Sequence, residues 1–246
     1  MRKNISSRKG FSLVEVVIAI GIVAMLLTTF MAVFGPAQKN INKALGSADA
    51  NRLVHTLENE MAILRPGEEA AYNSSSFEKA FQWIKDSPTK GNGIIVYQYQ
   101  ALPGTQNADG TLKAADIGII NDDQKFPGVD YITQTVARRV DKADATILAE
   151  ELSPGVVQGK VYVVRMTQLI KDSATGSGLI LGTPNQIVTA DGTVVADSTL
   201  YEDGYITLQV EFFPLNNNLL AYVTGGSWEF GTLGSPVATQ NIAVRR

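Results

Sequence analysis

The apolar run from Phe11 to Phe34 constrains this chain most, because its 24 residues include a single ionisable side chain, Glu15. From Val16 to Leu27 twelve consecutive residues are apolar or glycine. At about 1.5 Å per residue the run is roughly 36 Å long as a helix, enough for the roughly 30 Å hydrocarbon core of a bilayer. It can span a membrane, and the residues after it must fold as cargo on one anchor. The order of parts sets it apart from a secretory signal, whose cleavage site comes after an apolar core of about 7 to 15 residues. Here the basic residues Arg2, Lys3, Arg8 and Lys9 are closed off by Gly10 before the core begins, and Gly35-Pro36-Ala37 after it is a poor small-residue match. The positive charges predict a cytoplasmic N-terminus, a single pass and a C-terminal part on the far side of the membrane.

Glu15 is the odd residue. A carboxylate inside an apolar membrane helix costs about 2.5 to 3.5 kcal/mol on insertion scales, so such residues are usually paired and functional. The plainer reading places it one turn inside the helix, reaching the headgroups where the helix N-terminus favours an anion. Gly10-Phe11-Ser12-Leu13-Val14-Glu15 followed by the apolar run resembles the class III signal of type IV prepilins and type II secretion pseudopilins, a likeness that covers about the first 35 residues. The resemblance implies that a membrane-embedded prepilin peptidase cuts between Gly10 and Phe11 and methylates the new amine of Phe11. It also implies that Glu15 contacts that amine in a neighbouring subunit during filament assembly, which would give the buried charge a buried partner. The implied partners are the peptidase, other pilin or pseudopilin subunits, an inner-membrane assembly platform and, before assembly, the lipid bilayer.

Composition bounds the remainder. The formal charge of −3 hides an asymmetry: the ten-residue leader holds four basic and no acidic residues, so residues 11 to 246 carry 17 Lys+Arg against 24 Asp+Glu, or −7. A mildly acidic soluble part gives no electrostatic footprint for nucleic acid. Cysteine is absent, which excludes disulfides, thiolate metal sites, thiol catalysis and a lipoprotein anchor. Many pilins have a C-terminal disulfide loop, and its absence leans towards the pseudopilin or minor-pilin side of the resemblance.

Gly35-Pro36 interrupts the apolar pattern where the helix should leave the membrane, and proline's missing donor and its clash with the preceding turn predict a kink there rather than a stop. The pattern resumes as an amphipathic stripe, Ile41, Leu45, Ala48, Val54, Leu57, Met61 and Leu64, that needs a partner surface. The expected divisions are a basic leader at 1–10, an assembly helix at 11–34, its amphipathic continuation at 35–65, and an α+β extracytoplasmic domain at 66–246. Ser75 and Glu78 have capping-box spacing ahead of a short helix at about Ser76 to Lys85, with Phe77, Phe81 and Ile84 on one face. Strands are expected at Ile94 to Gln100, Val129 to Val140, Lys160 to Ile170, Tyr205 to Phe213, Leu219 to Thr224, Ser227 to Phe230 and Pro236 to Val244. In Tyr205 to Phe213 apolar and polar residues alternate, which predicts an antiparallel sheet with one wet face. Ala101 to Ala115 and Ser173 to Gly178 read as polar loops, and Asp109-Gly110, Asp191-Gly192 and Asp203-Gly204 as turns. The sheet should cover the second half of the long helix, giving a pilin-like architecture.

Chemistry is sparse. His55, the only histidine, lies at the border of the stripe and reads as a solvated residue. Gly91-Asn92-Gly93 and Gly176-Ser177-Gly178 lack the Lys-Ser/Thr of a phosphate loop, and Ser177 has no nucleophile elbow around it. Asp122-Asp123 and Glu150-Glu151 are sequence neighbours whose side chains need not converge. Calcium is the one ligand the turns invite, at Asn107-Ala108-Asp109-Gly110 or Glu202-Asp203-Gly204. Neither has the spaced twelve-residue calcium loop, so no residue is assigned to a metal and no cofactor is expected.

The favoured function is a structural, non-enzymatic subunit of a type IV pilus or type II secretion pseudopilus. A domain of roughly 180 residues is large for a repeating shaft subunit and favours a minor or tip-proximal place. The alternative is a membrane-anchored extracytoplasmic ligand-binding protein or enzyme that borrows a pilin-like export signal.

Overall fold

A computed structural model describes residues 12–89, 91–115, 126–172, 178–225 and 228–246. The chain divides into two compact units, Met1–Ser47 and Ala48–Arg246. Helix α1, Leu13–Ala62, contributes to both and runs on through Gly35 and Pro36.

In the second unit, α1 presents Leu53, Val54, Leu57 and Met61 to the core, all at most 2% exposed. Helix α2, Ser76–Asp86, starts where the capping-box spacing places it, the Glu78 amide donating to Ser75 Oγ at 3.3 Å. The second half of a capping box is missing, because the Glu78 carboxylate accepts from Ser198 and Gln82 instead of reaching back to its own helix start. Phe77, Phe81 and Ile84 are buried on one face, as their spacing requires.

The sheet is antiparallel, in an order read from its pairings as β3-β1-β4-β8-β9: β3 is Ile132–Arg139, β1 Ile94–Gln106, β4 Val157–Lys171, β8 Tyr205–Pro214 and β9 Ala238–Arg245. The short β2, Leu112–Ala114, pairs with the far end of β1, and β5, Leu179–Leu181, with the end of β4. A separate ribbon joins β6, Ile187–Val188, to β7, Val194–Val195. The fold is thus α+β with an antiparallel sheet.

The expectation of one wet face holds only for part of the sheet. In β8, Ile206, Leu208, Val210 and Phe212 are fully buried while Thr207, Gln209 and Glu211 stay partly wet. In β1, by contrast, Ile94, Ile95, Val96 and Tyr97 are all buried in succession, which requires cover on both faces. One face carries α1 and α2. The other carries helix α3, Ala145–Glu151, helix α4, Leu220–Thr224, and Trp228, which pack on Ile95, Tyr97, Val161, Val163 and Phe213. Gly93 admits Trp228, since a Cβ there would lie 2.6 Å from the indole ring.

Three further expectations are corrected. Leu219 to Thr224 is no strand. Its burial falls on Val223 with Leu220 packed beside it, an i, i+3 spacing, and the Asn217 side chain accepts the Leu219 amide to start α4. Trp228 to Phe230 is also not a strand, and Ser227 lies outside the described residues; Trp228 is fixed instead by its indole donating to Val223 O at 3.1 Å. Ala101 to Ala115 is not a loop but the β1–β2 hairpin, turning at Asn107 to Gly110. Most of Ser173 to Gly178 falls outside the described residues.

Candidate functional site

The first unit is built on the exposed apolar start of α1. Every described side chain from Ser12 to Ala32 is exposed, and Leu13–Ala32 is long and apolar enough to cross a membrane. Ser12 begins the helix. Its hydroxyl accepts the Val14 amide at 3.3 Å, its carbonyl accepts the Val16 amide at 3.2 Å, and its own amide donates to Glu15 Oε2 at 3.0 Å. Ser12 and Glu15 thus form a reciprocal cap in which a side chain answers an orphan backbone donor in each direction. The Ser-x-x-Glu spacing of Ser12 and Glu15 carries this cap in the sequence itself. Farther along, the Thr28 and Thr29 hydroxyls donate to carbonyls of Ala24 and Met25, so the helix satisfies its few polar side chains internally, as hydrocarbon requires. Phe30 and Phe34 stack with centroids 4.7 Å apart. Gly10 and Phe11 lie outside the described residues. Gly35 and Pro36 are helical in backbone.

Residues 5–31 match the family model of the prokaryotic N-terminal methylation motif. The segment is a prepilin-type signal. Such a signal points to a structural rather than a catalytic protein, exported and anchored as type IV pilins and pseudopilins are, cut by prepilin peptidase and assembled with other pilin subunits. No curated protein and no solved structure matches the chain.

The second unit holds buried charge networks that sequence reasoning did not find, among them one around Lys79 and one around Arg138. Lys79, fully buried on α2, donates to Glu60 Oε1 and Glu68 Oε2 at 2.8 Å each and to Ile63 O at 3.2 Å, and lies over the Trp83 ring. Arg65 closes this cluster with a bidentate pair to Glu60 at 2.6 and 2.8 Å. On the other face of the sheet, Arg138 makes a bidentate pair with the fully buried Glu151 and binds Asp109 Oδ2 at 2.6 Å. Tyr97 donates to the same Glu151, and burial followed by that carboxylate's charge pushes its phenol well up. Burial alone would lower the Arg138 pKa, and the bonds to Glu151 and Asp109 raise it instead. Shifts in these directions keep the Tyr97 phenol protonated and the Arg138 guanidinium charged at neutral pH, so the two serve as ties rather than as an acid or a base.

The remaining sequence candidates sit apart. Glu151 is buried whereas its neighbour Glu150 is not, so that pair does not converge. Asp122 and Asp123, with Gly176 and Ser177, lie outside the described residues. His55 is exposed, with Nδ1 3.3 Å from Glu58. Asp109 is committed to Thr111 and Arg138, and Asp203 accepts the Ala190 amide. Among the described residues no three His, Cys, Asp or Glu side chains are grouped to hold a metal.

Proposed function

We propose that this chain is a structural subunit of a type IV pilus or type II secretion pseudopilus, with a pilin-like domain and a minor or tip-proximal place in the filament. The observation that carries the reading is the methylation motif over residues 5–31, which leads into an apolar run, Phe11 to Phe34, whose single ionisable side chain is Glu15. Prepilin peptidase cuts after Gly10 and methylates the Phe11 amine. The helix then waits in the inner membrane with its basic end cytoplasmic and the domain on the far side. On assembly the apolar helices leave lipid and bundle. Glu15 exchanges its Ser12 amide for the Phe11 amine of a neighbour, and a kink at Gly35-Pro36 lets the helix change direction as it leaves the bundle. The reading calls on no cofactor and no nucleic acid, and the size of the domain supports the minor or tip-proximal place.

Glu15→Leu tests it. If the carboxylate only caps the helix start and reaches the headgroups, the substitution removes the Ser12 cap, eases insertion and leaves filament incorporation unchanged. If it pairs with the amine of a neighbour, its loss leaves that amine unpaired in an apolar bundle, which costs about 3 to 5 kcal/mol per subunit. The expected outcome is a mature N-terminus at methylated Phe11 by mass spectrometry, wild-type membrane levels, and loss of the protein from the sheared-filament fraction. Wild-type incorporation of the leucine variant would show that Glu15 is no assembly contact.

A further inference from the structure

The sheet has two outer strands, and the fold protects them unequally. At the end of β3, Ala137, Arg138 and Arg139 are buried, two of the three are charged, and the segments Arg65 to Glu68 and Lys142 to Asp144 line a cleft of about 300 Å³ beside them. At the opposite edge, β9 keeps an unbroken register with β8 from the Tyr205–Arg245 pair to the Phe212–Ala238 pair, so no bulge twists it away. From Ala238 to Val244 it contains no proline and no charged residue. Bulges, prolines and charges are the devices that keep natural sheet edges from pairing with other chains, and β9 uses none of them over those seven residues.

Just past β9 the Arg246 amide donates to Gly204 O at 3.0 Å, across the pair that continues the β8–β9 register. Bonded and non-bonded pairs alternate along an antiparallel ladder, so Val244, Ile242, Gln240 and Ala238 turn their main-chain groups towards β8. Arg245, Ala243, Asn241 and Thr239 turn theirs outward, and all four residues are exposed. The result is a straight row of amides and carbonyls facing away from the sheet. The two faces of this edge differ. Ile242 is buried, with Ala238 and Val244 packed on the same core as α2, whereas Thr239 and Asn241 lie opposite Glu211 and Gln209 on the wet face. An extended strand that alternates apolar with uncharged polar residues matches both the main-chain row and the two faces, and a helix, whose main-chain groups are already bonded, does not.

We propose that β9 receives an extended strand from a different protein chain, added edge to edge onto the sheet. The choice of a different chain rests on the filament reading above, because a minor or tip-proximal subunit has other chains rather than copies of itself for neighbours. The outward groups of Thr239, Asn241, Ala243 and Arg245 supply the ladder. Ile242 and Val244 extend the apolar face to the incoming strand, and Thr239 and Asn241 the polar one.

Photo-crosslinking in the native host tests this. The photo-reactive residue p-benzoylphenylalanine is placed at exposed Ala243 in the full chain, membranes and sheared filaments are irradiated, and adducts are mapped by mass spectrometry. The expected product joins Ala243 to an extended, alternating segment of another protein. Asn241→Pro removes an outward N–H and no bond to β8, so it should keep the urea midpoint and lower the adduct about tenfold, the effect of losing one or two outward hydrogen bonds. Asn241→Lys, which leaves the backbone alone, should lower it as well. Gln209→Ala, one strand inward on the same wet face, should leave it unchanged. Absence of an adduct at wild-type protein level would overturn the proposal. So would an adduct between two copies of this chain, or one that survives both Asn241 variants or is lost with Gln209→Ala, which means docking on the face. Failure of the wild type to enter the sheared fraction would instead refute the filament reading, and an edge-dependent adduct to another protein in membranes would still support the strand contact.

Discussion

Removing residues up to Arg65 should unfold the domain, and the structure supplies the size of the effect. Leu53, Val54, Leu57 and Met61 are each at most 2% exposed. Burying one such side chain stabilises by about 1.5 to 3 kcal/mol, so the four together contribute about 6 to 12 kcal/mol. That rivals the whole stability of an ordinary domain, about 5 to 15 kcal/mol. The same cut deletes Glu60 and Arg65, leaving Lys79 buried with Glu68 as its one remaining carboxylate partner. A fragment that begins at Ala37 keeps all of these and should be a soluble monomer. Urea unfolding followed by tryptophan fluorescence is the assay, since Trp83 lies under one face of the sheet and Trp228 under the other. Both should change in one cooperative transition in the Ala37 fragment, and a Pro66 fragment should aggregate or show no transition. A monomeric Pro66 fragment with the same urea midpoint would refute the claim that α1 completes the core.

Two further outcomes come from the charge networks. Lys79→Met leaves Glu68 and Glu60 without a buried cation between them and should cost about 3 to 5 kcal/mol, or roughly 6 to 20 °C in Tm for a unit of this size; a shift of a degree or two by calorimetry would show that the cluster relaxes freely. Burial tends to raise the Asp109 pKa, but its bonds to Thr111 and Arg138 outweigh that and hold it below the ordinary carboxylate value. A depressed folded pKa contributes stability that is present above the unfolded value and lost as pH falls through the folded one, so Asp109→Asn should flatten the loss of stability below about pH 4; an unchanged acid limb in urea melts at successive pH values would remove Asp109 from the account.

How much of this was legible depends on the sequence distance over which each feature is decided. The α2 start is set by Ser75 and Glu78, three residues apart, and could be read directly. The alternation of β8 is likewise local and buries the residues its period selects, as the stripe on α1 does at Val54, Leu57 and Met61; Leu64 is partly buried, and the side chains of Ile41, Leu45 and Ala48 lie outside the described ones. The run Ile94 to Tyr97 already announced cover on both faces, but identifying the cover required α3 and α4, helices of seven and five residues that are too short to show a period. The apolar and aromatic residues at 219–224 fit strand and helix equally well. The charge networks were out of reach, because Glu60 and Lys79 are 19 residues apart and Asp109 and Arg138 are 29 apart, and no spacing rule links them.

The two units treat charge in opposite ways. In the second unit Lys79, Arg138 and Glu151 are buried only because the fold brings each an opposite charge within hydrogen-bonding distance. The carboxylate of Glu15 stands in an apolar stretch and, among the described residues, is met by an amide and not by a cation. Its helix likewise exposes every described side chain from Ser12 to Ala32, whereas the sheet of the second unit is covered by the chain itself. Apolar surface on this scale must be covered by something else, such as lipid or like helices. A negative group near the start of each helix then meets its need only if the neighbour brings a positive one to the same depth. In the assembly proposed above, the methylated Phe11 amine of the next subunit would be such a group. On that proposal each subunit would offer one amine and one carboxylate to different neighbours, so the arrangement would favour growth of a filament over a closed pair.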